Sequence, residues 1–468
     1  VLLTAAAGVR RHPAWAFAAL AVVMGFAIFQ GSVLSSDSSA ELKLAVAFAH
    51  GHLGVAWHHS RYPLEASLIL LPAGVANVIG GHVAMGFVAS LEYLLFGGAL
   101  VLVGIRWTAA LRPTESLVDR GQVVILATAT TLLWVYVAKE PMDVVIAGLL
   151  ALGAVAARQA DRVGWSGIAL GLLLCSRDQM IPVALVGAAV LVIPLLFERR
   201  WAPALRGALP MILAIGALAL TNQARYGGVT HVGPGYAGIV TYGTSLQTIV
   251  DSLLSPQAGL LFFAPLCLVG IATTWPAWRR PGRPTSAPLA VGLALTITAS
   301  VLFIHPSSSY LDIWSWGRSC RYFVPMVPIT AFLIPRRPTG ALRPVIWASA
   351  IVGGLWSAAM LLVPYDAQQR FYPGTSPNGP SVWRQVVLIP KVVSNSLHLI
   401  VHGTSPYHHS AFFVSLWQVG TVRSTGRLSL LLTIPATVVA LLLVAWLWRA
   451  LRSSPPHLDE ADERAAAR

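Results

Sequence analysis

Long apolar runs, each closed by a cluster of Arg, Pro or Gly, recur along the whole chain. A helix that crosses a bilayer needs about 20 mostly apolar residues. On that basis twelve spans are predicted, near 14–33, 82–105, 122–138, 142–157, 163–176, 181–197, 207–221, 256–274, 286–304, 322–335, 345–363 and 428–448. The apolar stretch 64–80 is read differently. Only Gly80 and Gly81 separate it from the next span, too little for a turn across a bilayer, so it is expected to lie as a helix near the interface.

Composition agrees with this pattern. Of 468 residues, 56% are hydrophobic and 11% charged, against about 25% charged in soluble domains. An ordinary cytosolic enzyme and a disordered protein are excluded. Three cysteines, Cys175, Cys267 and Cys320, are too few for a disulfide scaffold. The expected class is an all-α polytopic membrane protein whose principal partner is the lipid bilayer.

The net charge of +14 would suggest nucleic acid in a soluble protein, but here its placement explains it and no nucleic-acid partner is expected. Alternate connections carry Arg10 and Arg11; Arg106, Arg112 and Arg120; Arg158 and Arg162; Arg199, Arg200 and Arg206; Arg279, Arg280 and Arg283; Arg336, Arg337 and Arg343; and Arg449, Arg452, Arg464 and Arg468. Positive residues mark the cytoplasmic side. Both termini are therefore expected in the cytoplasm, with the first span retained as a helix.

The opposite side holds the long connections 34–66, 222–255, 305–321 and 364–427, with ten of the thirteen His. Loops on a helical scaffold are where sites usually sit, so the chemistry is expected to face outward. The chain divides accordingly into a transmembrane module over 1–363, an outer region over 364–427 suited to acceptor contacts, and a last span with a short cytoplasmic tail over 428–468.

Just after the first span, Ser35-Ser36-Asp37-Ser38-Ser39-Ala40-Glu41 leads into an amphipathic stretch from Leu42 to Leu53. Asp37 suits a helix N-cap. A carboxylate at a membrane boundary also suits proton abstraction from a hydroxyl, and the two roles are compatible. Farther on, Trp57-His58-His59-Ser60-Arg61-Tyr62-Pro63 sets an Arg beside Tyr-Pro. A guanidinium there suits either a phosphate held by paired hydrogen bonds or an anchor at the interface.

These features together resemble the C-type glycosyltransferase superfamily, in particular its protein mannosyltransferase and aminoarabinose transferase branches. Further segments resemble the family in the same order. Ser176-Arg177-Asp178 follows a Gly-rich helix. Asn222-Gln223-Ala224-Arg225-Tyr226-Gly227 precedes Gly235-Tyr236. Ser255-Pro256-Gln257-Ala258-Gly259-Leu260 comes next, with Pro265. Last comes Trp314-Ser315-Trp316-Gly317 with Arg321-Tyr322, Pro325 and Pro328. The sequence departs from the family at Ser319-Cys320, where Gly-Pro is usual.

The resemblance implies an enzyme that takes a sugar from a polyprenyl-phosphate carrier and passes it to a glycan, glycolipid or protein acceptor on the outer face of a bacterial plasma membrane. It assigns Asp37 as the general base of an inverting displacement. Outer-side cations would stabilise the leaving phosphate. Arg61, Tyr62, Arg318 and Arg321 are the first candidates, and Arg177, Arg225, Tyr236, Glu41 and Asp312 the second. Arg is favoured over Lys because its planar fork matches phosphate.

No cofactor or metal is indicated. His50 and His52 stand two residues apart, which on a helix sends them to different faces, and neither they nor the pairs His58-His59 and His408-His409 show zinc-ligand spacing. Glu92, the clear acid inside a span, is expected to make a hydrogen bond between helices. The alternative function is a lipid-linked sugar flippase or small-solute transporter. Such proteins show internal repeats and midplane charges, whereas these spans are nearly free of charge.

Overall fold

The structure, a computed structural model, describes residues 12–28, 36–52, 69–139, 143–176, 180–229, 240–242, 249–250, 253–254, 259–278, 284–306, 321–338 and 340–362, with a few isolated positions beyond. The described chain is helical apart from one short ribbon. Its helices are α1 (Pro13–Ile28), α2 (Ser36–Ala49), α3 (Leu71–Leu111), α4 (Leu117–Ala129), α5 (Asp143–Gln159), α6 (Val163–Ser176), α7 (Met180–Phe197), α8 (Trp201–Tyr226), α9 (Leu260–Phe263), α10 (Pro265–Trp278), α11 (Ala287–Phe303), α12 (Val327–Thr330) and α13 (Leu342–Leu362). Strand β1 (Val240–Tyr242) pairs antiparallel with β2 (Ile304–Pro306).

Among the described residues, three helices are long and apolar enough to cross a membrane by length and composition: Ala84–Leu111, Met180–Phe197 and Trp201–Tyr226. The shorter apolar helices extend the same pattern. The protein is an all-α polytopic membrane protein. Each expected span from 14–33 to 345–363 overlaps a described helix or, at 322–335, a continuous buried segment. Of the expected span 428–448, positions 438–439 and 442–445 are described and are helical, and the rest lies outside the described residues.

The passes alternate in direction, as their contacts show. Gly98 of α3 faces Ala18 and Val22 of α1, while Gly25 faces Leu94, so α1 and α3 run antiparallel. Ser166 of α6 donates to the Ala154 carbonyl of α5. Gly167 and Gly171 of α6 meet Gly207 and Pro210 of α8, which makes α6 and α8 parallel, with α7 returning between them in sequence. At Gly167 a Cβ would overlap the Gly207 carbonyl. Without a hydrophobic drive between helices in lipid, close backbone approach at small residues is what holds such pairs.

Two local devices set the ends of these passes. α3 is interrupted at Gly81, whose φ of 70° and ψ of −165° suit glycine alone. The break separates a short helix, 71–80, from the long pass, as the Gly80-Gly81 pair predicts. The start of α4 is capped by Ser116, whose Oγ accepts from Asp119 N–H at 3.1 Å and also lies 3.1 Å from Asp119 Oδ2.

At the heart of the bundle runs 321–334, where every residue is buried. Pro325 and Pro328, three residues apart, both face Gly148 of α5. The Thr330 carbonyl presses on Gly270 of α10 so closely that a Cβ there would overlap it. The segment's far end is held by Arg120, which is fully buried. Arg120 donates to the carbonyls of Phe332 and Ile334 and pairs with Glu115 at 2.7 Å. Arg112 donates to the Leu333 carbonyl and pairs with Glu115 at 3.3 Å. Half-burial raises the Glu115 pKa, but the Arg120 hydrogen bond and charge, the Arg112 charge and the Arg336 N–H together hold it below the ordinary glutamate value.

The hydrogen bond between helices expected of Glu92 is not formed at its buried Oε2, which has no partner among the described residues.

Candidate active site

The alternation of passes places the sequence-predicted groups. α1 rises from Pro13 and α2 follows it, so Asp37 stands at the end of the bundle where α1 exits. The helix begins at Ser36, which puts Asp37 in its first turn instead of at a cap position, and the expected amphipathic stretch ends earlier, at Ala49. Glu41 is one turn beyond Asp37, and residues four apart share a helix face. α2 is seated on the short helix 71–80 through Gly74, where a Cβ would overlap the Ala45 carbonyl. Gly74→Val is therefore expected to unseat α2, and Asp37 with it, and so to lower turnover while the rest of the bundle stays folded. Turnover compared with folded yield in detergent checks this.

Arg225 sits in the last turn of α8, and the motif around it is a helix stop. Gly227 takes the left-handed conformation at φ 72° and donates its N–H to the Gln223 carbonyl. Asn222 Nδ2 reaches the Val229 carbonyl at 3.4 Å. The Asn-x-x-Arg-Tyr-Gly pattern thus fixes where the helix ends and leaves Arg225 at its tip, buried to 8% exposure, with its guanidinium 4.7 Å from the centre of the Tyr226 ring.

Arg321 opens the buried segment and is 4% exposed. Its guanidinium lies 5.0 Å from the Tyr322 ring centre, and Nη2 donates to the Tyr322 hydroxyl at 3.0 Å. Two Arg-Tyr dipeptides, far apart in sequence, use the same device of a guanidinium held over the following ring. Stacking of this kind fixes the plane of the fork that binds carboxylate or phosphate.

The ribbon joins the connections that carry these groups. Val240 pairs with Pro306, Thr241 with His305 and Tyr242 with Ile304. The 222–255 and 305–321 connections are thereby tied together at the end where Arg225 and Arg321 lie. No contiguous motif foretells this pairing. Its one local signal is the short run Ile239-Val240-Thr241-Tyr242, which has β-branched and aromatic character.

Arg61, Tyr62, Arg177, Tyr236, Asp312 and Arg318 lie outside the described residues, as does nearly all of 364–427. Among the described residues no three His, Cys, Asp or Glu come together as metal ligands; His50 and His52, at the end of α2, stack with ring centres 6.3 Å apart.

No family model matches the chain, and no curated protein matches it in sequence. Solved structures do match. The crystal structure of ArnT from Cupriavidus metallidurans in the apo state has 16% identity and a TM-score of 0.50, over 93% of this chain and 76% of that one. The crystal structure of the same ArnT bound to undecaprenyl phosphate covers the same shares at 16% identity with a TM-score of 0.49. At this identity the likeness concerns the fold. With its alternating helical passes, the chain shares the membrane fold of ArnT.

Proposed function

We propose that this chain is a membrane glycosyltransferase that moves a sugar from a polyprenyl-phosphate carrier to a glycan, glycolipid or protein of the cell envelope. What supports this reading is the order of the passes, whose alternation puts the start of α2, the end of α8 with Arg225 and the start of the buried segment with Arg321 toward the same end of the bundle. The fold and the order of the family-like motifs support it. The arginine-rich connections stand at the opposite end, which supports a reaction on the outer face of a bacterial plasma membrane with both termini inside.

The chemistry follows from what such a transfer needs. The acceptor hydroxyl oxygen attacks the anomeric carbon, and its proton passes to the Asp37 carboxylate. The bond from that carbon to the phosphate oxygen breaks, and the electron pair leaves on the phosphate. A single displacement inverts the anomeric centre. Phosphate is already a good leaving group, so cations placed where its charge grows suffice. Arg321 is assigned that contact, with Arg61, Tyr62 and Arg318. Arg225, Arg177, Tyr236, Glu41 and Asp312 are assigned supporting places around the donor and acceptor, and residues 364–427 the acceptor contacts within the division 1–363, 364–427 and 428–468.

The test is release of free polyprenyl phosphate from a panel of polyprenyl-phosphate sugars, with membranes carrying the folded protein and native envelope extract as acceptor. Release from one donor identifies the sugar and supports the reading. No release from any donor would sink it. Within the same assay, Arg321→Ala is expected to lower kcat/KM by roughly 10–100-fold, the value of a charge-assisted hydrogen bond of about 1.5–3 kcal/mol. Arg321→Lys is expected to recover little, because an ammonium neither forks nor stacks as a guanidinium does.

A further inference from the structure

At the end of the bundle opposite Arg225 and Arg321 there is a cavity of about 180 Å³ between α4, α10 and α13. Its walls are mainly apolar, with Leu126, Leu266, Ile334 and Trp347 among them, and Gln122 and Arg336 supply its polar edge. Trp347 is half exposed, so the cavity opens at the surface. It is smaller than the roughly 300–1,000 Å³ of pockets that enclose a whole small molecule. Its size and lining suit part of an apolar chain.

The charges at its edge are unbalanced in one direction. Glu115 is already engaged by Arg120 and Arg112. Asp119 is engaged with Ser116 and lies 3.4 Å from Arg336 Nε. That approach makes no hydrogen bond, and Arg336 Nε is without a hydrogen-bond partner among the described residues. Arg337 next to it and Arg343 are both exposed. Arg343 stands four residues before Trp347 on α13, on the same helix face. Among the described residues, arginines 112, 120 and 336 thus face the acids 115 and 119 here, and the exposed Arg337 and Arg343 add further positive charge beside the opening. An apolar slot, an aromatic ring at the membrane boundary and surplus guanidinium groups together match an amphiphile with an anionic head.

We propose that this cavity binds one acyl chain of an anionic phospholipid, with the lipid phosphate held by Arg336 and Arg343. The site is separate from the sugar-transfer chemistry and does not depend on it. Bound lipid would bridge α4, α13 and the end of the buried segment, which meet around the cavity.

The intact chain in nanodiscs of phosphatidylcholine, with or without phosphatidylglycerol, provides the test, with native mass spectrometry counting the lipid retained on release. One phosphatidylglycerol is expected to be retained in preference to phosphatidylcholine. Arg336→Gln and Arg343→Gln are each expected to weaken that preference about fivefold, the worth of one arginine near an anionic lipid surface. A photoreactive acyl chain on phosphatidylglycerol, used with the unaltered protein, is expected to crosslink within 122–127 and 334–347. Equal retention of both lipids would overturn the proposal, as would crosslinks lying elsewhere. Displacement of the lipid by millimolar inorganic phosphate would also overturn it, by showing a site for the anion alone.

Discussion

Asp37→Asn is expected to lower polyprenyl phosphate release by roughly 10²–10⁴-fold, the usual worth of a general base, with donor affinity retained, as the proposed sugar transfer requires. The amide cannot take the acceptor proton, so the attacking oxygen remains a neutral hydroxyl, whereas the leaving phosphate and its arginines are untouched. The loss should therefore fall on the chemical step and leave donor binding, measured in the absence of acceptor, close to wild type. Glu41, one turn along α2, provides the comparison. Glu41→Gln should cost much less, because only one carboxylate is needed in a single displacement. A retaining double displacement would instead need two carboxyl groups about 5–5.5 Å apart, and equal losses from the two substitutions, with retained configuration in the product, would point there.

Arg120→Met should destabilise the folded protein by about 3–5 kcal/mol, as removal of one partner from a buried ion pair does. Methionine fills similar space but leaves the Phe332 and Ile334 carbonyls and Glu115 without the donor they share. Denaturation in detergent, followed by loss of the monodisperse peak, reads the effect. Adding Glu115→Gln to Arg120→Met should recover part of the loss, because the isolated carboxylate is the more costly remnant. No recovery at all would assign the cost to the carbonyls.

The same cluster has a pH signature. The folded Glu115 pKa lies below its ordinary value of 4.5, so its ionised form is favoured by folding. That contribution is complete above the ordinary value and declines as the pH falls through the lower folded one. Glu115→Gln should flatten stability across that acid window, and an unchanged acid profile would show that the ion pair contributes nothing.

Much of this architecture is legible in the amino-acid sequence. Apolar runs locate passes because a spanning helix must satisfy its backbone internally and show hydrocarbon-like side chains to lipid. The Gly80-Gly81 break follows a local rule and stands where the residues put it. The Ser116 cap and the Gly227 stop are equally local. The start of α2 at Ser36 is harder to place, since four serines around Asp37 make equally good caps. Arg120 reads in sequence only as a topogenic charge, although it is a fully buried clamp, because its carbonyl partners lie more than 200 residues away. The ribbon between 240–242 and 304–306 is hidden in the sequence for the same reason.

Hydropathy and contiguous motifs therefore suffice for the class of protein, the succession of passes, the sidedness expected from arginine and the candidate chemistry. Each of these is a property of a local stretch of chain. Which ends of the passes meet is a different matter. That the strands 240–242 and 304–306 pair, and that Arg112 and Arg120 hold the end of the buried 321–334 segment, emerges only in three dimensions. Those are long-range choices. They rest on close backbone contacts at Gly74, Gly167 and Gly270 and on the need of buried guanidinium groups for acceptors, which no local stretch of chain can supply alone.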